Sequence, residues 1–413
     1  MTKLLTKISI NNYRAFEGHH TIDLKNLTLF FGYNNTGKSA LVRLFPLLSD
    51  SVNSSKPTFY TRSYLDYSSP AIRGSLFKEL ATFGKRRLSF SMKWSDDTSL
   101  SFSLQQRGLE AERMVSLEVS EAGTPSKKYK ESVEDYEKLQ NMDNGTEIID
   151  FHNFRFENSH TLNGLLETYS NSVFWMSATR IHPPRQFEVG MGVKLKIEHD
   201  GAGVGPVIWN LAESSSPSLE DINNWLEETC GRKLTFNMDL GSRDGRKTVS
   251  LETANEQLEG SDNLRTPILD SGEGITQALP VVTLCAMAAN GELGNSPIVV
   301  VEQPELHLHP QATVSLAKFL ISCVKKNPNV RYVLETHSES FLRAIQIALV
   351  QDELKVDDFS CYWISKNEQQ SRLTPVDFDE QGFITSAWPA GVFRETIKQA
   401  KELVQLRNNK GMQ

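Results

Sequence analysis

The segment Gly32-Tyr33-Asn34-Asn35-Thr36-Gly37-Lys38-Ser39 constrains this chain more than any other. It fits the pattern G-x-x-x-x-G-K-[ST] in full. An apolar run, Leu27 to Phe31, precedes it, and Ala40–Leu48 continues as an apolar helical stretch. Strand, glycine loop and helix is the context in which such a loop binds phosphate. The glycines let the backbone wrap around phosphates, with its amides pointing inward at a helix N-terminus. Lys38 is expected to neutralise β/γ-phosphate oxygens, and the Ser39 hydroxyl to ligate Mg²⁺. The expected nucleotide contacts are Gly32, Asn34, Asn35, Thr36, Gly37, Lys38, Ser39 and Ala40, with ATP and Mg²⁺ as cofactors.

Such a loop also needs an acidic residue at the tip of a neighbouring strand, to hold the Mg²⁺ through water. Ile298-Val299-Val300-Val301-Glu302 supplies one, so Ser39 and Glu302 are the expected metal residues. The chain continues Gln303-Pro304-Glu305-Leu306-His307-Leu308-His309-Pro310. Here it resembles the ABC-type ATPases of the SMC/RecF and overcoming-lysogenisation-defect families, whose equivalent segment commonly reads E-E-P-E-x-H-L-H-P. Three further segments share the resemblance. Asp270-Ser271-Gly272-Glu273-Gly274 looks like a degenerate ABC signature, Thr336-His337-Ser338 like the switch-histidine segment, and Ile8–Phe16 like the opening strand.

The resemblance implies that Ser271, Gly272 and Gly274 of one subunit cap the γ-phosphate held by another, in a homodimer or higher homo-oligomer. It implies that His337 senses that phosphate. It also marks a departure: Gln303 stands where the family places its general-base glutamate. An amide cannot accept a proton at neutral pH, although it can orient a water. Glu305 is the candidate stand-in, so the catalytic set is Glu302, Gln303, Glu305 and His337, with turnover expected to be slow. Arg180 and Arg185 resemble a family segment near the nucleotide, and contact with phosphate or a core salt bridge are both open. His307 and His309 are read as part of a subunit-facing loop rather than a metal cluster.

The fold expected is α/β, a P-loop NTPase of ABC-ATPase type with a mixed central sheet. Strict alternation at Leu88–Trp94, Leu100–Leu104 and Val115–Val119 adds an antiparallel β-subdomain. Lys7–Phe16 and Thr21–Phe31 read as two strands, Ser49–Ser69 as a loop or lid, and Glu131–Asn141 as a helical insertion. The core is expected over 1–350, with antiparallel strands about 86–120, an insertion about 125–170 and the signature region 220–290. Residues 351–413 are expected to form C-terminal strands and a helix of unknown role. Within them Trp388, Pro389, Gly391 and Phe393 carry a likeness to a domain found behind such cores.

Other readings are mostly exclusions. Net charge is −7, so nucleic-acid contact needs a local basic surface, for which Lys85–Arg87, Lys127–Lys130 and Lys398–Lys410 are candidates. The four cysteines are scattered, which suits a reducing cytoplasm. No apolar run is long enough to span a bilayer, and Met1–Ile10 lacks a signal peptide's apolar stretch. No clustered D-x-D follows the core, so no nuclease is expected here. The resemblance instead implies a separate effector, a nuclease or toxin, or a DNA transaction, in prokaryotic anti-phage defence. Two functions follow: a slowly hydrolysing ATPase that drives a partner, or an ATP-gated scaffold that seldom turns over.

Overall fold

A computed structural model describes residues 3–53, 64–107, 111–121, 127–131, 146–149, 154, 160–239, 247–255, 265–368 and 370–386. The chain opens with β1 (Leu5–Tyr13), β2 (Phe16–Asp23), β3 (Leu27–Gly32) and α1 (Lys38–Asn53). A short α2 (Phe77–Leu80) leads to β4 (Arg87–Trp94), β5 (Ser99–Arg107), β6 (Ala111–Ser120), β7 (Lys127–Glu131) and β8 (Thr146–Ile149). Then come α3 (His160–Ser172), β9 (Val173–Met176), β10 (Phe187–Val189), α4 (Val204–Glu213) and α5 (Pro217–Cys230). Strands β11 (Lys233–Asp239), β12 (Lys247–Ala254) and β13 (Thr266–Pro267) precede α6 (Glu273–Ala289). The last part runs β14 (Ile298–Glu302), α7 (Pro310–Lys326), β15 (Arg331–Thr336), α8 (Glu339–Val350), β16 (Phe359–Asn367) and β17 (Gln370–Val376).

The central sheet has the order β17-β16-β3-β15-β14-β9. All its pairings are parallel except β16 with β17. Both faces are buried: every position of β3, β14 and β15 is buried, and their centres are apolar, as in Val299–Val301 and Tyr332–Leu334. Successive side chains of one strand enter opposite cores. Val299 and Val301 pack among the helices α4–α8, while Ile298 and Val300 pack with α1, α3 and the antiparallel sheet. With strands entering in parallel, the ends of β3, β14 and β15 that carry Gly32, Glu302 and Thr336 lie along one edge.

A second sheet has the order β2-β1-β4-β5-β6-β7-β8. Its cross-strand layers join residues of the alternating faces, Phe90 opposite Phe102 opposite Leu117 and Met92 opposite Leu100 opposite Val119, but a register shift at Ser103/Leu104 sets buried Met114, not Val115, opposite Leu104. The N-terminal reading needs correction. The segment makes three strands, not two: β1 and β2 form a hairpin in the antiparallel sheet and β3 belongs to the central one. The turn is set by Asn12 and Arg14, both at positive φ, with the Asn12 carboxamide accepting from Gly18 N–H. The polar stretch read as a lid begins inside α1. Ser49 donates to the Ser170 carbonyl and Ser51 to that of Leu47, so buried hydroxyls are satisfied without ending the helix. Glu131, read as helical, closes β7; the rest of that insertion lies outside the described residues. So do Trp388, Pro389, Gly391, Phe393 and Lys398–Lys410. β16 runs hydrogen-bonded along β3, so the strands after residue 350 complete the central sheet. Among the described residues, no helix is long and apolar enough to cross a membrane.

Candidate functional site

The loop leaving β3 is shaped for close backbone packing. Gly37 has φ +97°, and a Cβ there would lie 3.0 Å from the Phe16 ring and 3.2 Å from Ser371 Oγ, so only glycine fits without strain. Thr36 donates from its hydroxyl to the Tyr33 carbonyl at 2.9 Å. Tyr33, Asn34 and Asn35 are exposed, Thr36 and Lys38 buried, and Ala40 sits in the first turn of α1. Lys38 Nζ donates to the Tyr33 carbonyl at 2.5 Å. Burial pushes the Lys38 ammonium down to about 8, against the opposing pull of Glu335 and then Glu305. The loop therefore keeps a desolvated cation at a helix N-terminus, which suits an anionic ligand.

Acidic groups converge on it from two strand tips. β14 and β15 pair in register with Glu302 beside Glu335. Ser39 Oγ donates to Glu335 Oε1 at 2.9 Å. Glu302, the acid expected there, is held elsewhere: Arg43 Nε donates to its Oε1 at 2.7 Å and Arg43 Nη2 to its Oε2 at 2.5 Å. Trp175 Nε1 adds a third donor to Oε1 at 3.0 Å. Burial, and then the neighbouring Glu302, raise the Glu335 carboxyl to about 7 against the opposing pull of Ser39, Lys38 and Arg43. Glu335 was missed from the sequence, and so were Arg43 and Trp175.

The loop after β14 is tightly braced. Gln303 has φ +44°, a strained setting for a non-glycine residue, and its N–H donates to the Glu335 carbonyl at 2.8 Å. Arg180 donates to the carbonyls of Ser177, Glu302 and Gln303 at 2.9–3.0 Å. Burial lowers its guanidinium to about 10 against the attraction of Glu305 and Glu302. Arg180 thus holds carbonyls rather than a carboxylate. Arg185 makes an exposed ion pair with Asp270 at 2.9 Å. Glu305 Oε1 accepts from the Thr336 hydroxyl at 2.7 Å and from His337 N–H at 2.9 Å, and burial raises its carboxyl. Burial, then the Lys38 charge, lowers the His337 imidazole, and a hydrogen bond to the Gly32 backbone works the other way. His337 is therefore neutral at pH 7 and lies against the phosphate loop.

The signature-like segment meets this loop within one chain. A Cβ on Gly274 would lie 2.6 Å from the His307 carbonyl oxygen, so α6 approaches the loop at glycine distance. Gly272 is the exposed N-cap of α6, with no side chain closing the helix end. Ser271 Oγ lies 3.2 Å from Thr253 Oγ1. His309 caps α7, and His307 is exposed.

The residues fit a hard divalent cation. The donors at Ser39 are oxygens, and Oε2 of both Glu335 and Glu305 is buried with no hydrogen-bond partner. A phosphate loop, a buried lysine and acid-tipped parallel strands together define a P-loop nucleoside triphosphatase. Within that class the chain belongs to the AAA ATPase domain family, which matches residues 4–163 and 210–342. ATP is the nucleotide that membership implies. Solved structures of related outline include the Smc head bound to the C-winged helix domain of ScpA, at 9% identity over 91% of this chain and 98% of that one, TM-score 0.49. Another is the Smc head with an extended coiled coil bound to the C-terminal domain of ScpA from Pyrococcus furiosus, at 8% identity, 98% and 100% coverage, TM-score 0.47. A third is the SMC head domain from Thermotoga maritima, at 10% identity, 91% and 99% coverage, TM-score 0.43. No curated protein matches. The family match alone carries the assignment.

Proposed function

We propose that this chain binds Mg²⁺-ATP through Gly32–Ala40, closes around it with a second copy, and hydrolyses it slowly to control a separate effector or a DNA transaction. The observation that carries the reading is the meeting of Lys38, Ser39, the carboxylates of Glu335 and Glu305, and neutral His337 at one loop. Mg²⁺, when bound, supplies charge neutralisation at the β/γ-phosphates. The chain's own groups do the rest. Lys38 and the loop amides hold phosphate oxygens, and His337, hydrogen-bonded to the Gly32 backbone, senses the terminal phosphate. Ser271, Gly272 and Gly274 offer an open helix N-terminus to a partner's nucleotide.

Slow turnover follows from the positions of the bases. Gln303 orients water without taking its proton. Glu305, its candidate substitute, has one oxygen committed to Thr336 and His337. That commitment also favours the second reading, an ATP-gated scaffold with little turnover. Steady-state phosphate release separates them, with Lys38→Ala as the background. Release above that background supports the slow hydrolase; release equal to it, with ATP retained, supports the scaffold. A setting in anti-phage defence rests on the company that ATPases of the resembled families keep, not on any residue. Loss of phage resistance in cells carrying Lys38→Ala would support it, and unchanged resistance would remove it.

A further inference from the structure

Resting on the ATP-bridged dimer proposed above, we propose that Arg185 works across the subunit boundary: its guanidinium, held by Asp270 in the single chain, passes to the terminal phosphate of the nucleotide bound by the partner copy. Position gives the first reason. Asp270 ends a short turn, Ile268–Asp270, and is followed directly by Ser271 and the exposed Gly272, where α6 starts. Arg185 Nη1 and Nη2 donate to the two Asp270 oxygens at 2.9 and 3.0 Å. The guanidinium fork therefore stands beside the helix end offered to a partner's nucleotide.

Charge gives the second. Asp270 and Glu273 flank Ser271 and Gly272, with side chains 45% and 63% exposed. Two such carboxylates repel an incoming triphosphate unless donors answer them. His182 Nε2 meets Glu273 at 3.2 Å, and Arg185 meets Asp270. Ease of exchange is the third. The Arg185–Asp270 pair is open to water on both sides, so its attraction is screened and contributes little. A phosphate offers the same two parallel acceptors with more charge. The backbone beneath Arg185 is already fixed. Arg180 bonds three carbonyls, Ile181 N–H donates to the Asp200 carbonyl at 2.8 Å, and Phe187 is buried in β10. Pro183 and Pro184 restrict the chain between them. Only the Arg185 side chain has to move, which keeps the ordering cost small.

The test is ATP-dependent pairing of full chains, read as energy transfer between dyes on Cys230, the exposed cysteine. One mixture joins Arg185→Ala chains to Lys38→Ala chains. The other joins wild type to the double variant Lys38→Ala/Arg185→Ala. With a different dye on each kind of chain, only mixed dimers are seen, and each has one working phosphate loop and one Arg185. In the first mixture Arg185 lies across from the nucleotide; in the second it lies on the same chain. The first is expected to pair at about tenfold or more lower concentration than the second. Equal pairing, pairing that favours the second mixture, or pairing in neither overturns the proposal. Arg185→Ala must also keep the ATP affinity of the dilute single chain in calorimetry; a loss there places Arg185 at its own chain's site and overturns it too. If alanine lowers the melting temperature, Arg185→Gln keeps the stem and is read by the same outcomes. Wild-type chains that bind no ATP, or that bind it and never pair, overturn the ATP-bridged dimer itself, a distinct result.

Discussion

Arg43→Met tests whether Glu302 is a structural anchor. The Arg43–Glu302 pair is bidentate, and the two side chains are 13% and 1% exposed. At about 4 Å between charge centres and an effective dielectric near 20, the attraction is about 4 kcal/mol. Methionine keeps much of the arginine stem's packing but leaves Glu302 with only the Trp175 N–H, beside Glu335 across the strand register. Breaking one partner of such a pair costs about 3–5 kcal/mol, because the remaining charge stays buried. For a chain of 413 residues the unfolding entropy is about 0.9 kcal/mol/K, so Tm should fall by about 3–6 °C. Differential scanning fluorimetry without nucleotide measures it. Arg43→Met/Glu302→Gln should recover at least half of the loss, since removing the acid removes the stranded charge. A Tm drop below about 1 °C, or a double variant whose loss is the sum of the losses of Arg43→Met and Glu302→Gln alone, would refute the reasoning.

Three more outcomes follow. The carboxyl of Glu335 is raised from 4.5 to about 7, so its contribution to stability is fully present below pH 4.5 and is lost as pH rises through about 7. Glu335→Gln should therefore flatten the decline of Tm between pH 5 and pH 8 in nucleotide-free protein, and identical slopes would count against it. Gln303→Glu should raise phosphate release by about tenfold or more by restoring a base at that position; no increase over the wild type would remove Gln303 from the catalytic account. Gly274→Val brings a side chain onto the His307 carbonyl. It should cost about 1–3 kcal/mol of stability and abolish ATP-dependent dimers in light scattering while monomer ATP binding persists, and retained dimers would contradict the role given to α6.

The parts of the site legible in the sequence were those written contiguously. Gly32–Ser39 and Glu302–Pro310 are each one strand end with its following loop, so order along the chain is order in space. Glu335 was illegible because its significance comes from register: only the pairing of β15 between β3 and β14 sets it against Ser39. Arg43 left a signal that spacing alone carries. It stands four residues after Ser39, on the same face of α1, although nothing in the sequence names its partner 259 positions away. The antiparallel layers were readable from strict alternation at Leu88–Trp94. β2 was split between the two strands read there, ending one at Phe16 and opening the next at Thr21, because Glu17, His19, His20 and Thr21 give it little apolar periodicity. Its identity as a strand comes from pairing with β1.

The account stands or falls on nucleotide capture by the loop around Lys38, and calorimetric titration of the purified chain with Mg²⁺-ATP measures it directly. Saturable binding near one ATP per chain, lost in Lys38→Ala with folding intact, is the predicted result. No heat of binding in the wild type, or equal binding by Lys38→Ala, would contradict it.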